Sequence, residues 1–507
     1  MKGIMLQGTG SDVGKSVLVT ALCRILARKN RKVTPFKSQN MSNNSYVTVD
    51  GKEIGRAQGV QAEAAKTEAN VYMNPILLKP RSTMDSEVVL FGEVYSTYSG
   101  RSYREHFYKK GIEAIKKALT ELAKRHEYVV IEGAGSPVEV NLNDRELVNM
   151  KVAQVADVPV ILIADIERGG VFASVVGTLQ LLSNEDRKRV KGIIINKFRG
   201  DSSLFTDGVS WIEAYTGVKV VGVIPYYDHI SIEGEDSLSI QNSLIKEGKK
   251  GDNGLDIAII TLPYVSNYTD LEPLAAEKDV YLRFVKNKTE FGNPDAVIIP
   301  GTKSTFHDLK YLKDNGLDII LQKYVEAGGT LVGLCGGYQM LGELLIDEAG
   351  TDTDLVGNKM KGLNIAPLKT YFNEKKLTIR SEGKLGSERW NCSKKISGFE
   401  IHLGRTLTTA EDVEPFLMIE NRPEGVCLHE GKVIGTYLHH LFHNDEWRAS
   451  WLNRIRKDRG MQQCAVLNLA EVRDQGYEKL ADHVETYLDI DYILDVIESW
   501  KGNGQQS

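Results

Sequence analysis

Gly333-Leu-Cys-Gly-Gly337 joins an apolar, strand-like run, Gly329–Leu334, to a helix-like run, Tyr338–Leu345. A cysteine between glycines at a strand-to-helix junction is typical of a nucleophile elbow, because glycine permits the tight turn that presents the thiol. A thiolate there gains from the positive end of the following helix, and nearby backbone N–H groups can hold an oxyanion. The stretch therefore predicts an α/β domain with Cys335 as a candidate nucleophile.

A second glycine-rich turn lies near the start of the chain, between the strand-like run Gly3–Gln7 and the helical run Lys15–Lys29. This is the context of a phosphate-binding loop, in which backbone N–H groups and a helix N-terminus bind phosphate oxygens. The strict pattern G-x4-G-K-[ST] is not met, because Thr9 stands at the first glycine position. The alternative is a strand–helix turn with a surface lysine. The residues expected to contact ATP phosphates are Gly8, Thr9, Gly10, Ser11, Asp12, Val13, Gly14, Lys15 and Ser16.

Length and composition restrict the class of protein. The 507 residues are too many for one hydrophobic core, so two or three domains are expected. A net charge of −5 gives no electrostatic reason to expect nucleic acid, and no apolar run approaches the roughly 20 residues of a membrane span. The five cysteines form no C-x-x-C pair, which argues against disulfides or structural zinc. We therefore expect a cytoplasmic protein that binds neither nucleic acid nor membrane.

The domain organisation follows from alternating strand and helix patterns, which are typical of a doubly wound parallel sheet. The strands expected in a first sheet are Gly3–Gln7, Lys32–Phe36, Tyr128–Glu132, Pro159–Ala164, Gly192–Asn196 and Val220–Ile224. Those expected in a second are Asp256–Thr261, Ala296–Pro300, Thr330–Leu334 and Lys432–Tyr437. We predict a phosphate-loop domain at 1–231, a polar linker at 232–254, a second α/β domain at 255–445 and a helical C-terminal extension at 446–500. We expect the extension to cap the second domain.

Polar residues at strand ends complete the candidate nucleotide site, because ligands of parallel sheets bind at the carboxyl ends of the strands. Glu132 ends an apolar strand and is a candidate Mg²⁺ ligand together with Ser16 and Asp12. Asn196 also ends a strand and is a candidate contact for the nucleotide base. The alternative for each strand-end residue is an ordinary solvated side chain.

A thiol nucleophile needs a base within hydrogen-bonding reach. The histidines available in the second half are His402, His429, His439, His440 and His443. His439 is favoured because it follows the strand-like run Val433–Tyr437, and His402 is the main alternative. The turn after Ala296–Pro300 supplies a second candidate oxyanion donor, the backbone of Gly301 or Thr302, beside that of Gly336.

The Cys335 elbow and His439 resemble the class I glutamine amidotransferases, in which such a pair hydrolyses glutamine. Typical members carry a glutamate two residues after the histidine, but here that position is Leu441. Either another group orients His439, or the site works as a Cys-His dyad. The same departure is found in the group of cobyric acid and cobyrinic acid diamide synthases. The N-terminal half resembles the dethiobiotin synthetase-like phosphate-loop fold.

The resemblance to the cobyric acid synthase family covers nearly the whole chain. It is carried by Pro35–Ser42, Met73–Pro80, Asp165–Phe172 and Gly398–His402. It implies ATP- and Mg²⁺-dependent amidation, with L-glutamine as nitrogen donor, of the b, d, e and g carboxylates of adenosylcobyrinic acid a,c-diamide. In that reaction Lys37 would join Lys15 in neutralising phosphate charge.

Three alternative functions stay open. One is an amide ligase for another polycarboxylate, including a cobyrinic acid a,c-diamide synthase. Another is a phosphate-loop switch ATPase with a non-catalytic second domain, which the Cys335–His439 pair disfavours. The last is a cysteine hydrolase with an accessory nucleotide domain.

Overall fold

The computed structural model describes residues 1–80, 85–141, 143–227, 254–390 and 392–502. The chain forms two compact units: the first comprises Met1–Glu235 and Glu471–Ser507, and the second comprises Asp236–Ala470. The predicted linker, 232–254, lies outside the described residues except for Gly254.

The first unit is assembled from short strands and helices of residues 1–227. Its strands are β1 (Lys2–Gly8), β2 (Val33–Phe36), β3 (Gln39–Met41), β4 (Ser45–Val47), β5 (Glu53–Gly55), β6 (Ile76–Pro80), β7 (Asp85–Leu90), β8 (Glu93–Ser99), β9 (Tyr128–Glu132), β10 (Val160–Asp165), β11 (Val190–Phe198) and β12 (Val220–Pro225). The helices of this part are α1 (Lys15–Arg28), α2 (Arg56–Ala64), α3 (Gly100–Ala123), α4 (Met150–Ala156), α5 (Val171–Leu181), α6 (Asn184–Arg189) and α7 (Thr206–Thr216).

A parallel sheet in the order β12-β11-β10-β1-β9-β2 forms the centre of this unit. Its members are the six strands predicted from sequence. Alternate residues of β10 enter different apolar clusters: Ile161 and Ile163 pack on one face, and Leu162 packs on the other. Both faces are thus covered, as the near-continuous apolar runs predicted. The sheet β3-β6-β7-β8 and the β4–β5 pair were not predicted.

The second unit contains the remaining strands, and three helices continue to the C-terminus. The strands are β13 (Leu255–Ile260), β14 (Val280–Val285), β15 (Ala296–Ile299), β16 (Leu331–Leu334), β17 (Leu344–Asp347), β18 (Asn358–Lys361), β19 (Leu368–Leu385), β20 (Ile396–Thr408), β21 (Leu417–Ile419), β22 (Arg422–Glu424), β23 (Val426–Leu428), β24 (Val433–Thr436) and β25 (Leu438–His439). The helices are α8 (Glu272–Ala276), α9 (Thr305–Asp314), α10 (Leu317–Glu326), α11 (Gly336–Met340), α12 (Asp445–Asp458), α13 (Leu469–Tyr487) and α14 (Ile490–Ser499). Within the described ranges, no helix combines the length and apolar character needed to span a bilayer.

The central sheet of the second unit has the order β14-β13-β15-β16-β24-β23, and the four predicted strands occupy adjacent positions in it. Strands that come after β16 in the chain form a second, mixed sheet in the order β18-β17-β19-β20-β25. The helix predicted over Tyr338–Leu345 is wrong in its second half. Helix α11 ends at Met340, and Leu344 and Leu345 belong to β17, where they pair with β18 and β19. Strand pairing here overrides a pattern that reads locally as helix.

The predicted helical extension divides between the two units. Helix α12 belongs to the second unit, but the chain from Glu471 onward belongs to the first, so the expected cap on the second domain is wrong for α13 and α14. Their buried residues share an apolar cluster with Ile4 and Leu6 of β1. These helical residues are Leu480, Ala481, Val484, Ile490, Ile493 and Ile497. Helical periodicity indicates an apolar face but does not say which core that face joins.

Truncating one of these residues tests where α13 packs. We expect Leu480→Ala to lower the free energy of unfolding of the first unit by about 3 kcal/mol, because a leucine that is 1% exposed leaves a cavity. The same change at Leu181, which is 60% exposed in this unit, should cost less than about 0.5 kcal/mol. Urea denaturation measures both values, and equal costs would contradict the packing described.

Two candidate active sites

The predicted phosphate loop connects β1 to α1. Gly14 precedes the helix with a φ of 96°, a conformation that favours glycine, and a Cβ there would lie 2.2 Å from Nδ2 of Asn196. The Lys15 ammonium donates hydrogen bonds to the carbonyl oxygens of Gly10, at 2.9 Å, and Gly135, at 3.3 Å. The Lys15 ammonium therefore lies over the phosphate-binding loop, the position that this motif requires.

Glu132, the last residue of β9, is the centre of the polar contacts at this loop. Its Oε1 accepts hydrogen bonds from the Ser16 hydroxyl, at 2.8 Å, and the Lys37 ammonium, at 2.9 Å. Its Oε2 accepts one from the Gln61 amide at 2.5 Å. Burial alone would raise the pKa of the Glu132 carboxyl, but the Lys37 charge and these hydrogen bonds hold that pKa below its ordinary value. The site thus keeps a buried anion beside two lysines.

The Lys15 ammonium is also perturbed by its surroundings. Burial lowers the pKa of Lys15 to about 8, and the nearby Lys37 charge contributes, while Glu132 and Asp12 act in the opposite direction. A bound anion would relieve both the desolvation and the repulsion between the two lysines. The electrostatics of the loop therefore suit a polyphosphate.

The structure brings together only part of the predicted metal set. The oxygens of Ser16 and Glu132 are adjacent, whereas the Asp12 carboxylate lies 3.5 Å from the Arg168 guanidinium at an exposed position. No group of three or more His, Cys, Asp or Glu side chains suited to a metal occurs in the described ranges. A hydroxyl and a carboxylate still fit Mg²⁺, which prefers a few protein oxygens completed by phosphate and water.

Asn196 and Asn149 support the loops around this site. The Asn196 amide donates to the carbonyl oxygen of Val13 at 2.8 Å, so it braces the phosphate loop. Its contact with a base stays a prediction. Asn149 accepts from the N–H of Ala134 and donates to the carbonyl oxygens of Ala134 and Ser136, which fixes the turn that presents the Gly135 carbonyl to Lys15. No local sequence pattern indicates Asn149 or Gln61, because both reach the site through tertiary packing.

Cys335 lies at the sharp turn between β16 and α11. Its φ is +49°, a left-handed value that costs a non-glycine residue about 1–3 kcal/mol. Its N–H donates to the carbonyl oxygen of Thr436 at 2.8 Å, which ties the turn to the end of β24. A Cβ at Gly337 would lie 2.1 Å from the carbonyl oxygen of Ile299. Gly337, the second residue after Cys335, must therefore be a glycine, because the backbone of β15 lies too close to it for a side chain.

His439 completes a Cys-His-Asp arrangement, of which the sequence predicted Cys335 and His439 but not Asp270. Its Nδ1 donates to the Asp270 carboxylate at 2.7 Å, and the Cys335 side chain lies close enough to raise the pKa of the imidazole. The other Asp270 oxygen accepts from the N–H of His440 at 2.7 Å. All three side chains are buried. Asp270 thus orients His439, a role that Leu441 cannot serve.

The pKa of His439 reports the same arrangement. Burial would lower this pKa, but the Asp270 carboxylate and the Cys335 sulfur raise it to about 10. The imidazole is therefore protonated at neutral pH, with one ring nitrogen held by Asp270. Such a group is suited to protonating a leaving amine.

The predicted oxyanion residues converge on the same point. A Cβ at Gly301 would lie 3.0 Å from Cε1 of His439 and 3.5 Å from Cβ of Cys335. A Cβ at Gly336 would lie 3.1 Å from the backbone nitrogen of Thr302. The turn after β15 and the start of α11 thus border the thiol. Their role as oxyanion donors stays a prediction.

His402, the alternative base, makes different contacts. Its Nδ1 bonds to the carbonyl oxygen of Gly404 at 2.7 Å, and its ring stacks on Tyr437 with centroids 3.6 Å apart. The Cys335 thiol donates to the neighbouring carbonyl of Ile401 at 3.5 Å. The contacts therefore favour His439, rather than His402, as the proton-transfer partner of Cys335.

Two family models match the chain and together cover most of it. Residues 4–240 match the CobQ/CobB/MinD/ParA nucleotide binding domain, and residues 256–447 match the CobB/CobQ-like glutamine amidotransferase domain. A cobyric acid synthase of Geobacillus sp. (strain WCH70) is 48% identical over 97% of this chain and 96% of its own length. The cobyric acid synthases of Geobacillus thermodenitrificans and Synechocystis sp. are 47% and 44% identical, over 98% and 97% of this chain and 98% of each relative.

Removing the Asp270 charge tests the ion pair at the thiol site. The folded-state pKa of His439, about 10, lies above the ordinary value of 6.5. The protonated His439 imidazole therefore stabilises the folded state fully below pH 6.5, and this stabilisation is lost as the pH rises through about 10. Asp270→Asn should lower the free energy of unfolding of the second unit by about 3 kcal/mol at pH 7 and by less at pH 10. Urea denaturation at pH values across this range measures the difference.

Asp314→Asn is the matched control, because Asp314 is an exposed residue of the same unit that pairs with Lys310. It should change stability by less than about 0.5 kcal/mol at either pH. A cost for Asp270→Asn that does not vary with pH would contradict a charged His439.

Proposed function

The chain belongs to the cobyric acid synthase family, and we propose that it amidates the b, d, e and g carboxylates of adenosylcobyrinic acid a,c-diamide to give adenosylcobyric acid. The reaction uses ATP and L-glutamine. The observation that carries this proposal is the presence in one chain of a phosphate loop with Lys15 across its mouth and a Cys335–His439–Asp270 constellation. Near-full-length identity to relatives named cobyric acid synthase favours this substrate over another polycarboxylate.

The second unit hydrolyses glutamine in this proposal. The Cys335 sulfur attacks the side-chain amide carbon, and the oxyanion is held by the backbone N–H groups of Gly301 and Gly336. His439, held by Asp270, gives its proton to the departing nitrogen, so that ammonia leaves and a thioester remains. Water then hydrolyses the thioester to glutamate and returns a proton to the Cys335–His439 pair.

The first unit activates the acceptor acid. A carboxylate is a poor acyl donor because its leaving group would be oxide, whereas transfer of the ATP γ-phosphoryl group supplies phosphate as a good leaving group. The ammonium groups of Lys15 and Lys37 neutralise charge as that group moves to the carboxylate oxygen. Ammonia attacks the acyl carbon, the bond to the phosphate oxygen breaks, and an amide and phosphate result.

Magnesium would be held by the hydroxyl of Ser16 and the carboxylate of Glu132, with Asp12 as a further predicted ligand. When bound, it supplies positive charge to the phosphate oxygens. Glu132 is already ionised by virtue of its contacts with Lys37, Gln61 and Ser16, so it can accept a cation without losing a proton. Asn196 is proposed to contact the base once ATP is bound.

Release of ammonia from glutamine explains why a glutaminase accompanies the ligase. Ammonia in neutral water is mostly ammonium, which has no free electron pair to attack an acyl phosphate. Hydrolysis of glutamine by the same chain delivers the free base, and high ammonium can substitute for it when the thiol is absent.

Loss of the nucleophile should separate the two activities. We expect Cys335→Ala to reduce glutamine-dependent amidation by about 10³-fold or more, because the thioester can no longer form. Activity with high ammonium chloride should stay within about twofold. Cys427→Ala is a matched control, since it removes another buried thiol of the same unit. Equal loss with both nitrogen donors would contradict the division of labour.

Loss of the phosphate-loop lysine should instead impair amidation with both nitrogen donors. Lys15→Ala should lower amidation by about 10²-fold or more with either glutamine or ammonium, since charge neutralisation at the phosphates is lost. Lys124→Ala, at an exposed position after α3, should leave both rates unchanged. Retained synthesis in Lys15→Ala, measured as ADP and amide formed, would remove this loop from the mechanism.

A further inference from the structure

The first unit contains a cavity that neither candidate site uses. Its volume is about 300 Å³, and it lies between β3, β6, β7, β8, the start of α3 and residues 145–148. The wall is largely apolar and aromatic. The residues that form this wall are Met41, Leu78, Val88, Tyr98, Tyr103 and Tyr108.

Two arginines also line this cavity. Arg104 pairs with Asp144, and the Arg145 guanidinium lies 3.8 Å from the same carboxylate. Glu146 lines the cavity as well, but its carboxylate accepts backbone N–H groups of Val148, Asn149 and Lys151. The guanidinium groups of Arg104 and Arg145 and the carboxylates of Asp144 and Glu146 therefore lie beside an aromatic wall.

The same segments build both the cavity and the phosphate site. Three consecutive residues, 37–39, connect the two. Lys37 donates to the Glu132 carboxylate in the phosphate site. On the cavity side, Ser38 donates to the carbonyl oxygen of Leu147 at 2.6 Å, and Gln39 accepts from the Tyr103 hydroxyl at 2.6 Å. On the opposite side of the cavity, the Glu146 carboxylate accepts the N–H of Asn149. The Asn149 side chain in turn hydrogen-bonds to the backbone of Ala134 and Ser136. A ligand in the cavity would thus lie beside the segments that carry Lys37 and the Gly135 turn.

We propose that this cavity seats one edge of the corrin substrate, with Arg104 and Arg145 pairing with its peripheral carboxylates. The inference rests on the proposed function, which supplies a flat macrocycle with apolar faces and charged side chains around its rim. Aromatic and aliphatic walls suit such a ring, and guanidinium groups bind carboxylates in paired hydrogen bonds. A cavity of about 300 Å³ is smaller than the whole macrocycle, so the remaining carboxylates project outward.

This seating also explains how one site can process several carboxylates. Each amidation converts a projecting anion into a neutral amide while another edge of the ring is seated at the arginines. After the ring leaves, an edge that still carries a carboxylate binds the arginines better than an amidated edge, so the ring rebinds in another orientation.

The test combines two variants with two matched controls. Arg145→Gln removes one rim charge, and Ser86→Trp fills the cavity from β7. Arg125→Gln removes an exposed arginine just after α3, and Thr97→Trp places the same bulk on the opposite face of β8, since Ser86 is opposite Tyr98 and Thr97 is its neighbour. The KM values for adenosylcobyrinic acid a,c-diamide, ATP and glutamine are measured for each, together with corrinoid binding by absorbance titration.

We expect Arg145→Gln to raise the corrinoid KM and dissociation constant by about tenfold, and Ser86→Trp to raise them further, with the ATP and glutamine KM values unchanged. The controls should match wild type. Unchanged corrinoid constants in both variants, or a rise in the ATP KM alone, would overturn the cavity assignment while leaving the function intact. A wild-type chain that neither binds nor amidates the corrinoid would overturn the proposed function as well.

Discussion

The shared carboxyl edge of parallel strands is the constraint on which both candidate sites depend. In the second unit, β15, β16 and β24 are neighbours, so the turn at Gly301, the elbow at Cys335 and the chain leading to His439 emerge side by side. In the first unit, β1 and β9 are neighbours, which places the loop after Gly8 next to Glu132. Side chains distant in sequence are thereby brought into hydrogen-bonding range before any local interaction refines them.

The parts of the fold that could be predicted are those whose sequence pattern is set by burial on both faces. Strand β10 is apolar from Val160 to Ala164, and its observed bounds differ from the prediction by one residue at each end. Strand β8 is mostly exposed and carries polar residues, so nothing in its pattern separates it from a loop. The second half of Tyr338–Leu345 was misread because its apolar side chains suit a helix or a strand, and pairing with β19 decides between them.

The residues of the candidate sites also differ in whether a local sequence pattern could predict them. Cys335 and Lys15 could be predicted because each belongs to a turn whose geometry is encoded by adjacent glycines. Asp270 could not be predicted, because it lies 169 positions before His439 and reaches it only through the packing of a short segment after β13. Leu441, which stands where a glutamate was expected, is fully buried in the apolar core. The orienting carboxylate has thus moved to another segment while its contact with the histidine is kept.

The left-handed backbone at Cys335 has a consequence for how this position evolves. Glycine would adopt that conformation without strain, so selection for stability alone would favour glycine over the proposed nucleophile. A lineage that no longer needed the thiol would be expected to drift towards glycine here. Retention of cysteine at such a turn across a lineage would therefore indicate that the proposed catalytic role, rather than folding, maintains it.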